Sequence, residues 1–408
     1  MKTKYKPYLL FLPLLLLYVF IIIFFKPDEY VGDESRYIMF AHNLLNGYFS
    51  PPPPEINLWN GPGYPALIAI PLFFNLPEII MRLMNALWLY LAVVLSYNTL
   101  LYVTNKKSSL VLSLFLSLYY PVYTFLPLIL TETFTLFLTA LISYIFVKLG
   151  RKIHLYPVQY LQLSISLAIL VYTKVIFAYV VPVILFIILI LYIKNRSPFY
   201  KNYMIIFSLT MLFLLPYTYY TYTLTRQVYY WSNAGSLSLY TMSTPYADEN
   251  GAFMTPIYLV NSPNHKKEAD SIINKMTAIP MDQSLKKIAL QNIKKHPDKF
   301  LKNWIANLGR LFINYPQFNQ KLTIKVIIKA LPGLIILLLL FISFYIRIKH
   351  KIILPESILI LCRFFFIYLT FSSLFSAYLR MFFITIPFWL ILIGYILNNV
   401  TAQVKTGK

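Results

Sequence analysis

The stretch from Tyr8 to Phe25 reads YLLFLPLLLLYVFIIIFF, and positions 26–37 behind it read KPDEYVGDESRY. An uncharged apolar run of this length predicts a membrane-spanning helix. A secretory signal peptide has an apolar core of about 7–15 residues and a cleavage site with small residues, and this stretch shows neither feature. We therefore expect an uncleaved first span, followed by an acidic segment.

The composition extends this prediction from one span to many. Hydrophobic residues make up 59% of the 408 residues and charged residues 12%, whereas soluble domains average about 45–50% and about 25%. These values exclude a soluble globular enzyme, a disordered protein and a nucleic-acid-binding protein, and they predict a polytopic helical protein in a lipid bilayer. The single cysteine, Cys362, excludes an intrachain disulfide and a cysteine-based metal cluster.

Nine further apolar stretches follow the first span. Together the ten predict an all-α bundle of about ten transmembrane helices, although several stretches are shorter than the ~20 residues of a perpendicular span. The expected ranges are Leu83–Val103, Ser109–Leu126, Thr133–Leu149, Val158–Thr173, Val175–Ile193, Tyr203–Tyr222, Leu331–Ile346, Ser357–Phe375 and Met381–Leu397.

Basic residues follow every second span and orient the bundle. They fall on the same side as Lys2, Lys4 and Lys6, which precede the first span. The later positions are Lys106, Lys107, Lys148, Arg151, Lys152, Lys194, Arg196, Lys201, Arg347, Lys349, Lys351, Lys405 and Lys408. Because Lys and Arg mark cytoplasmic loops, both termini are expected in the cytoplasm of a multi-pass cell-membrane protein. The net charge of +22 then reflects topology and indicates no nucleic-acid partner.

This topology places two long segments outside. We expect an N-terminal transmembrane module, 1–222, with its first outer loop at 26–82, then a small extracytoplasmic α(+β) domain, 223–322, and C-terminal spans, 323–408. Acidic residues concentrate in the first outer loop, at Asp28, Glu29, Asp33, Glu34, Glu55 and Glu78. Polar chemistry is therefore expected at the outer face of the membrane.

The outer domain ends in a basic, amphipathic region from Leu285 to Phe312, which Pro297 divides. A pair of juxtamembrane helices lying on the membrane surface accounts for this pattern. A lid that recruits an anionic lipid phosphate is the alternative, and the two are compatible.

The first outer loop itself predicts a short amphipathic helix. Apolar residues recur at helical spacing from Tyr37 to Tyr48, and Asn46-Gly47 is a helix stop. Asp33 stands at the N-cap and Glu34 in the first turn, where the helix dipole favours a negative charge. A cap with no further role is one reading of Asp33. A second apolar segment, Ala66–Phe74, is too short to span.

The residues of the first outer loop resemble those of a known family. Asp33-Glu34-Ser35-Arg36-Tyr37, the amphipathic helix and Gly61-Pro62-Gly63-Tyr64-Pro65 resemble the first loop of GT-C glycosyltransferases. The likeness is to glycosyltransferase family 39, which includes dolichyl-phosphate-mannose protein mannosyltransferases and lipid A aminoarabinose transferases. Other segments similar to that family are Glu132, Thr173-Lys174, Leu215-Pro216-Tyr217, Arg226, Trp231–Leu237, Ala289–Trp304, Tyr378-Leu379-Arg380 and Pro387.

Two departures from the family pattern affect the expected site. The aminoarabinose transferases carry a basic Lys-Pro-Pro motif where this chain reads Asn60-Gly61-Pro62-Gly63, so another cation must contact the phosphate. The family's Pro-Trp is Pro216-Tyr217 here, and the Arg-Asn behind it is displaced. The resemblance therefore leaves the sugar and the acceptor open.

The resemblance implies a chemistry. A sugar passes from a polyprenyl-phosphate donor to an acceptor hydroxyl of a protein, lipid or glycan on the outer face, with inversion and without a cofactor. Asp33 is the expected general base, and Glu34 orients it or contacts the acceptor. The expected ligands of the donor phosphate are Lys174, Arg380, Arg36 and Arg310.

Each cation also has a simpler interpretation. Lys174 could snorkel to headgroups, Arg380 could anchor its span at the interface, and Arg36 could pair with Asp33 or Glu29.

Three further residues are expected to contact the acceptor or the sugar: Tyr37, Tyr64 and Glu132. The alternative for Glu132 is a helix N-terminal charge with Thr131 as its cap. His265 and His296 have no second ligand near them in the sequence, so we expect no metal site.

Two other classes of protein remain open. A secondary transporter or flippase of a lipid-linked or small solute would also have many spans and a few intramembrane charges, but it would keep its coupling residues near the midplane. An oligosaccharide polymerase or ligase would share the outer catalytic loops without the Asp-Glu pair of the first loop.

Overall fold

The computed structural model describes residues 6–152, 154–317 and 320–405, with backbone alone from 401 onward. These residues form nineteen helices, α1 to α19, and no strand. The predicted all-α class is confirmed. Lys2, Lys4 and Lys408, which contribute to the predicted topology, lie outside the described residues.

Seven of the described helices are long and apolar enough to cross a membrane. They are α1 (Lys6–Phe25), α4 (Ile79–Val103), α7 (Glu132–Leu149), α9 (Phe177–Asn195), α10 (Pro198–Thr225), α16 (Ile324–Lys349) and α17 (Glu356–Ser373). A helix pairs most of its backbone groups within itself, as a segment in hydrocarbon must. The chain is therefore a multi-pass membrane protein.

Two further apolar helices complete the bundle: α8 (Pro157–Thr173) and α19 (Ile386–Lys405). The α19 helix lies against α4, α7 and α16. Its residues from Phe388 to Ile393 are almost completely buried, so a helix near the end of the sequence forms the centre of the bundle.

The predicted third span is not one helix. The chain forms α5 (Lys106–Ser117), leaves the helical conformation at Tyr119, and forms the single turn α6 (Tyr120–Tyr123). Pro121 cannot donate a backbone hydrogen bond and is favoured in the first turn of a helix, which is its place in α6.

The carbonyl of Ser117, at the end of α5, accepts hydrogen bonds from the Tyr18 and Tyr123 hydroxyls, at 3.1 and 2.6 Å. These tyrosines satisfy a helix end that would otherwise be unpaired inside the bundle.

The first loop, between α1 and α4, contains two helices. The predicted amphipathic helix is α2 (Glu34–Leu45), and the predicted short apolar segment is α3 (Gly63–Phe73). The two pack against each other, and α3 also packs against α8 and the start of α4. The loop therefore lies folded on the bundle.

The segment between α10 and α16 has five helices: α11 (Gly235–Met242), α12 (Pro256–Asn261), α13 (Lys266–Ile272), α14 (Ala278–Lys295) and α15 (Pro297–Ile313). They surround a second, smaller core of Leu237, Tyr240, Met254, Leu259, Ala269, Ile272, Leu285 and Ala289. No described residue of this segment lies in a strand, so the expected β component is not confirmed.

A polar cluster lies beside this small core. Buried His265 contacts both carboxylate oxygens of Glu249 through Nε2, at 2.9 and 3.0 Å, and the Tyr240 hydroxyl through Nδ1, at 2.8 Å. Burial raises the pKa of Glu249, but hydrogen bonds from His265, Asn264 and Thr244 lower it overall. The cluster links the loop before α12 to α11 and α13.

Candidate active site

Five charged side chains form a continuous row at the ends of α2, α7, α8 and α18 (Leu379–Phe383). In order they are Arg36, Asp33, Arg380, Glu132 and Lys174. The row is held by four ion pairs: Arg36–Asp33 at 3.1 Å, Arg380–Asp33 at 3.4 Å, Arg380–Glu132 at 3.6 Å and Lys174–Glu132 at 2.9 Å. Positive and negative groups alternate along it.

Asp33 occupies the N-cap position of α2, as expected, but its side chain does not serve as the cap. It precedes α2, but within the described structure its side chain makes no capping hydrogen bond. Its Oδ1 accepts from Arg36, and its Oδ2 accepts from both terminal nitrogens of Arg380 at 3.4 Å. Both carboxylate oxygens therefore face guanidinium groups and remain available to the site.

Four members of the row are partly exposed, and we call their exposed side the opening of the row. The exposed fractions of the side chains are 28% for Arg36, 23% for Asp33, 26% for Arg380 and 19% for Lys174, whereas Glu132 is 1% exposed. Glu132 thus forms the floor of the row, and the other four groups can meet a ligand from outside. The row carries three positive and two negative charges, a net charge of 3 − 2 = +1, so it favours an anion.

Two unpaired oxygens lie at this floor. The Oε2 atom of Glu132 and the hydroxyl of Tyr64 are buried, and neither has a hydrogen-bond partner among the described residues. Tyr64 packs edge-on against Tyr37 with ring centroids 5.2 Å apart, and the Tyr37 hydroxyl accepts a hydrogen bond from Asn60 at 3.0 Å. Because a buried unpaired polar atom costs free energy, these two atoms are suited to a polar ligand.

Glu34 lies next to Asp33 in sequence but faces away from the row. Its Oε1 accepts from Arg82 at 2.8 Å and from the amide of Ile129 at 2.7 Å, and its Oε2 accepts from the amide of Val31 at 2.7 Å. The side chain is fully buried. The expectation that Glu34 orients Asp33 or contacts an acceptor is therefore wrong: its oxygens are occupied in fastening α2 to α4.

The loop before α7 is held in place by Asn85 of α4, the helix that also carries Arg82. Asn85 donates to the carbonyls of Leu126 and Leu128 at 3.1 and 2.6 Å and accepts from the Thr133 hydroxyl at 2.7 Å. Thr133 follows Glu132 directly, so these bonds set where the floor of the row lies. Thr131 makes no side-chain cap at this helix.

Two glycines set the position of Lys174. A Cβ atom on Gly61 would lie 2.1 Å from the Tyr172 carbonyl, and one on Gly63 would lie 2.8 Å from the Thr173 amide nitrogen. Only glycine permits this close approach of the first loop to the end of α8. Lys174 caps that end and points to Glu132, so it does not snorkel to headgroups.

Arg310 does not join the row. Its guanidinium is buried and donates to the Asn307 side chain and to the carbonyls of Asn250 and Pro316. Burial lowers its pKa to about 10. The expectation that Arg310 binds the donor phosphate is therefore wrong, because its donors are occupied and closed to the outside.

Arg310 instead supports the loop that carries Arg380. It holds Asn307, which donates to the carbonyls of Ser373 and Phe375 at 2.7 and 2.6 Å and accepts from the Ala377 amide at 2.8 Å. These bonds brace the chain between α17 and α18.

Three residues that sequence reasoning did not assign to the site contact the arginines. Asn60 accepts from Arg36 at 3.3 Å, the Trp59 ring lies 4.9 Å from the same guanidinium, and the Tyr378 ring lies 5.2 Å from that of Arg380. Burial raises the pKa of Tyr378 to about 12, although Arg380 lowers it, so Tyr378 is protonated near neutral pH. A cation two residues from an aromatic residue was the available signal for Tyr378.

The fold is similar to that of a known membrane enzyme. The oligosaccharyltransferase of Archaeoglobus fulgidus, tethered to an acceptor peptide, gives a TM-score of 0.57 at 12% identity over 99% of this chain and 51% of that chain. The same enzyme, AglB, with an inhibitory peptide and a dolichol-phosphate gives 0.52 at 13% identity, over 99% and 52%. ArnT from Cupriavidus metallidurans bound to undecaprenyl phosphate gives 0.42 at 12% identity, over 99% and 80%.

The chain thus spans about half the length of the oligosaccharyltransferase. No protein-family profile and no curated protein sequence matches it. The oligosaccharyltransferase is a GT-C membrane glycosyltransferase, and this chain has the GT-C fold. The fold class expected from the sequence is confirmed.

Proposed function

We propose that this protein is an integral-membrane glycosyltransferase that moves a sugar from a polyprenyl-phosphate donor to an acceptor hydroxyl on the extracytoplasmic face. The observation that carries the proposal is the open row in which Asp33 lies between two arginines. The similar oligosaccharyltransferase has been seen with a dolichol-phosphate and with an acceptor peptide, which supports the same kinds of partner here.

In the proposed reaction Asp33 is the general base. It takes the proton of the acceptor hydroxyl while the acceptor oxygen attacks the anomeric carbon of the sugar. The bond between that carbon and the phosphate oxygen breaks, and its electron pair stays on the leaving polyprenyl phosphate. A single direct displacement inverts the anomeric centre. The proton on Asp33 then passes to water.

The cations of the row are proposed to hold the donor phosphate. Arg36, Arg380 and Lys174 each expose part of the side chain beside Asp33 and Glu132. Donors fixed in advance where negative charge develops are worth more than the same groups in water. They take the place of the basic Lys-Pro-Pro motif, where this chain reads Asn60-Gly61-Pro62-Gly63.

The floor of the row is proposed to bind the sugar or the acceptor. Tyr64 and Glu132 each have a buried oxygen without a described partner, and Tyr37 contacts Asn60 beside them. A Glu132 oxygen accepts a hydrogen bond from a sugar hydroxyl, and the Tyr64 hydroxyl donates or accepts one.

The residues of the row do not fit a bound divalent cation. Its two carboxylates, Asp33 and Glu132, are already paired with three positive groups. Among the described residues no group of three His, Cys, Asp or Glu side chains could hold a metal ion. We therefore propose a transfer in which Arg36, Arg380 and Lys174 supply the positive charge.

A transporter fits the placement of these charges less well. The row is formed by the starts of α2, α7 and α18 and by the end of α8. Transporter coupling sites lie near the midplane, at discontinuous helices. A row at helix ends suits a reaction between a lipid-borne donor and a water-borne acceptor.

The sidedness is proposed from the charges. We place both termini and the loops at Lys106, Arg151, Arg196 and Lys349 in the cytoplasm. We also propose the division into the transmembrane module 1–222 with its first outer loop 26–82, the outer domain 223–322 and the C-terminal spans 323–408.

Cysteine labelling tests the topology. In a variant whose only native cysteine, half-buried Cys362, is replaced by serine, a cysteine at Asn250 should react with an impermeant reagent added to intact cells. A cysteine at Arg151 should react only after the cells are opened. The reverse pattern would overturn the proposed orientation.

Two measurements test the function itself. Mass spectrometry of surface glycans should show a sugar missing from a deletion strain and restored by the parental gene but not by Asp33→Asn. Purified protein should convert a polyprenyl-phosphate sugar to polyprenyl phosphate only with acceptor present. Unchanged glycans in the deletion strain, with no turnover of any polyprenyl-phosphate sugar, would count against a glycosyltransferase.

A further inference from the structure

We propose that Arg380 exchanges partners during the transfer, leaving Asp33 for the phosphate of the donor, so that release of the base and stabilisation of the leaving group are one event. The inference rests on the proposed function. It adds an order to the reaction: before the donor arrives, Arg380 holds the Oδ2 atom of Asp33 while Arg36 holds Oδ1, and donor binding is what frees Oδ2.

The contact distances single out Arg380 as the loosely held member of the row. It lies 3.4 Å from Asp33 and 3.6 Å from Glu132, whereas charge-assisted N–H···O bonds are typically about 2.7–2.9 Å. Lys174 reaches Glu132 at 2.9 Å. Arg380 is thus shared between two carboxylates and bound closely by neither.

The other guanidinium beside Asp33 is held more firmly. Arg36 donates to Asp33 at 3.1 Å and to Asn60 at 3.3 Å, and it lies over the Trp59 ring. Trp59 in turn packs against the small outer core. Among the described residues, the Arg380 guanidinium contacts the two carboxylates, with the Tyr378 ring beside it. Arg380 can therefore move at the smallest cost.

During the proposed reaction, negative charge moves from Asp33 to the phosphate, which favours a movement of the Arg380 guanidinium in the same direction. When Asp33 takes the acceptor proton, its charge changes from −1 to 0. As the bond to the sugar breaks, the phosphate passes from a singly charged diester to a monoester with a charge of about −1.5 to −2 at neutral pH. One negative charge thus passes from one side of Arg380 to the other, and the guanidinium follows it.

The backbone of Arg380 stays in place during this exchange. The preceding loop is braced by Asn307 at the carbonyls of Ser373 and Phe375 and at the Ala377 amide. Only the side chain has to turn, and it is 26% exposed. The donor phosphate therefore competes with Asp33 for one mobile guanidinium.

Competition makes an unusual prediction: loss of the base should improve binding of the product. Farnesyl phosphate, added to the purified full-length protein in detergent, serves as the probe. Asp33→Asn should bind it about fivefold more tightly than the parent, the size of a partly exposed ion pair. Asp33→Ala should show the same gain, which covers the case that asparagine binds Arg380 itself.

The Arg380→Met background separates a partner exchange from a general field effect. With Arg380 absent, adding Asp33→Asn should leave the affinity for farnesyl phosphate unchanged. In an Arg36→Met background, the matched control, the gain should persist. A gain that survives in Arg380→Met would mean that Asp33 acts only through its charge, and it would overturn the inference.

The experiment also separates this inference from the proposed function. If the parent binds farnesyl phosphate and Asp33→Asn and Asp33→Ala bind it equally well, the exchange is wrong and the glycosyltransferase proposal stands. If neither the parent nor any variant binds farnesyl phosphate, and none of them binds sulfate either, both the partner exchange and the glycosyltransferase proposal are wrong. Circular dichroism and gel filtration verify that each variant is folded.

Discussion

Asp33 and Glu34 are adjacent carboxylates, each paired with an arginine from a distant helix, yet the two pairs differ in every physical respect. Glu34 and Arg82 are 2.8 Å apart and at most 3% exposed. Asp33 and Arg380 are 3.4 Å apart, 23% and 26% exposed. Backbone amides complete the hydrogen bonds of Glu34, whereas within the described residues the Asp33 carboxylate pairs with two guanidinium groups.

The difference separates a structural pair from a reactive one. A buried, fully hydrogen-bonded ion pair holds its elements firmly, and removing one partner leaves an uncompensated charge. A partly exposed pair is worth little to stability, so its members can change partners during a reaction. At the start of α2, one carboxylate, Asp33, thus faces the opening, and the next, Glu34, faces the protein.

The largest expected effect is on the transfer rate of Asp33→Asn. The amide cannot take a proton, and loss of a general base typically costs about 10²–10⁴-fold in rate. The variant should fold and insert as the parent does. Initial rates at equal protein concentration test this, and a rate within threefold of the parent would remove Asp33 from the chemistry.

The matched change one residue later, Glu34→Gln, should lower the thermal stability of the protein. In Glu34→Gln an N–H₂ group must face Arg82 and Ile129 or the Val31 amide, all of which are donors. Breaking a buried pair costs about 3–5 kcal/mol, so the thermal transition in detergent should fall markedly. If Glu34→Gln melts with the parent and Asp33→Asn does not, the roles assigned to the two residues are reversed.

A smaller effect is expected at Lys174. Lys174→Met keeps an apolar stem of similar length but loses the ammonium group beside Glu132. Donor affinity should fall by about tenfold, the size of a hydrogen bond to a charged group. Equilibrium binding of a polyprenyl-phosphate sugar measures it. Lys302→Met, at an exposed lysine of α15, is the control, and an equal loss there would indicate general electrostatics.

The smallest expected effect is that of a chelator. Because Asp33 and Glu132 are paired with arginine and lysine side chains, treatment with EDTA followed by desalting should leave the transfer rate within about twofold of the untreated protein. Recovery of a lost rate by an added divalent cation would show that a metal displaces Arg380 from the row. That result would also weaken the contrast between the two pairs.

The candidate site could be predicted in part. Asp33, Arg36, Tyr37, Tyr64, Glu132, Lys174 and Arg380 were expected, and the structure brings them together; their roles stay predictions. Glu34 and Arg310 were expected on the same grounds, and the structure excludes both. A charged residue in an outer loop looks the same in sequence whether it is open or buried, because its burial depends on elements far away.

The sequence by itself determined the features that depend on local composition, namely the membrane-spanning helices and α2. Apolar runs dictate membrane-spanning helices because each helix satisfies its own backbone in lipid. The spacing after Asp33 dictates α2 in the same way. The structure was needed to show that two predicted spans are broken. The run that hydropathy alone extends to Leu126 stops being one helix at Ser117, before Pro121, and the expected last span, Met381–Leu397, is divided between α18 and α19.

The tertiary structure alone decided which charges meet. Asp33 and Arg380 are 347 positions apart, and Glu34 and Arg82 are 48 apart. No local pattern specifies either contact, because ion pairing has no sequence period and depends on how the helices pack. The orientation of the first turn of α2 therefore directs Glu34 into the protein and leaves Asp33 at the opening.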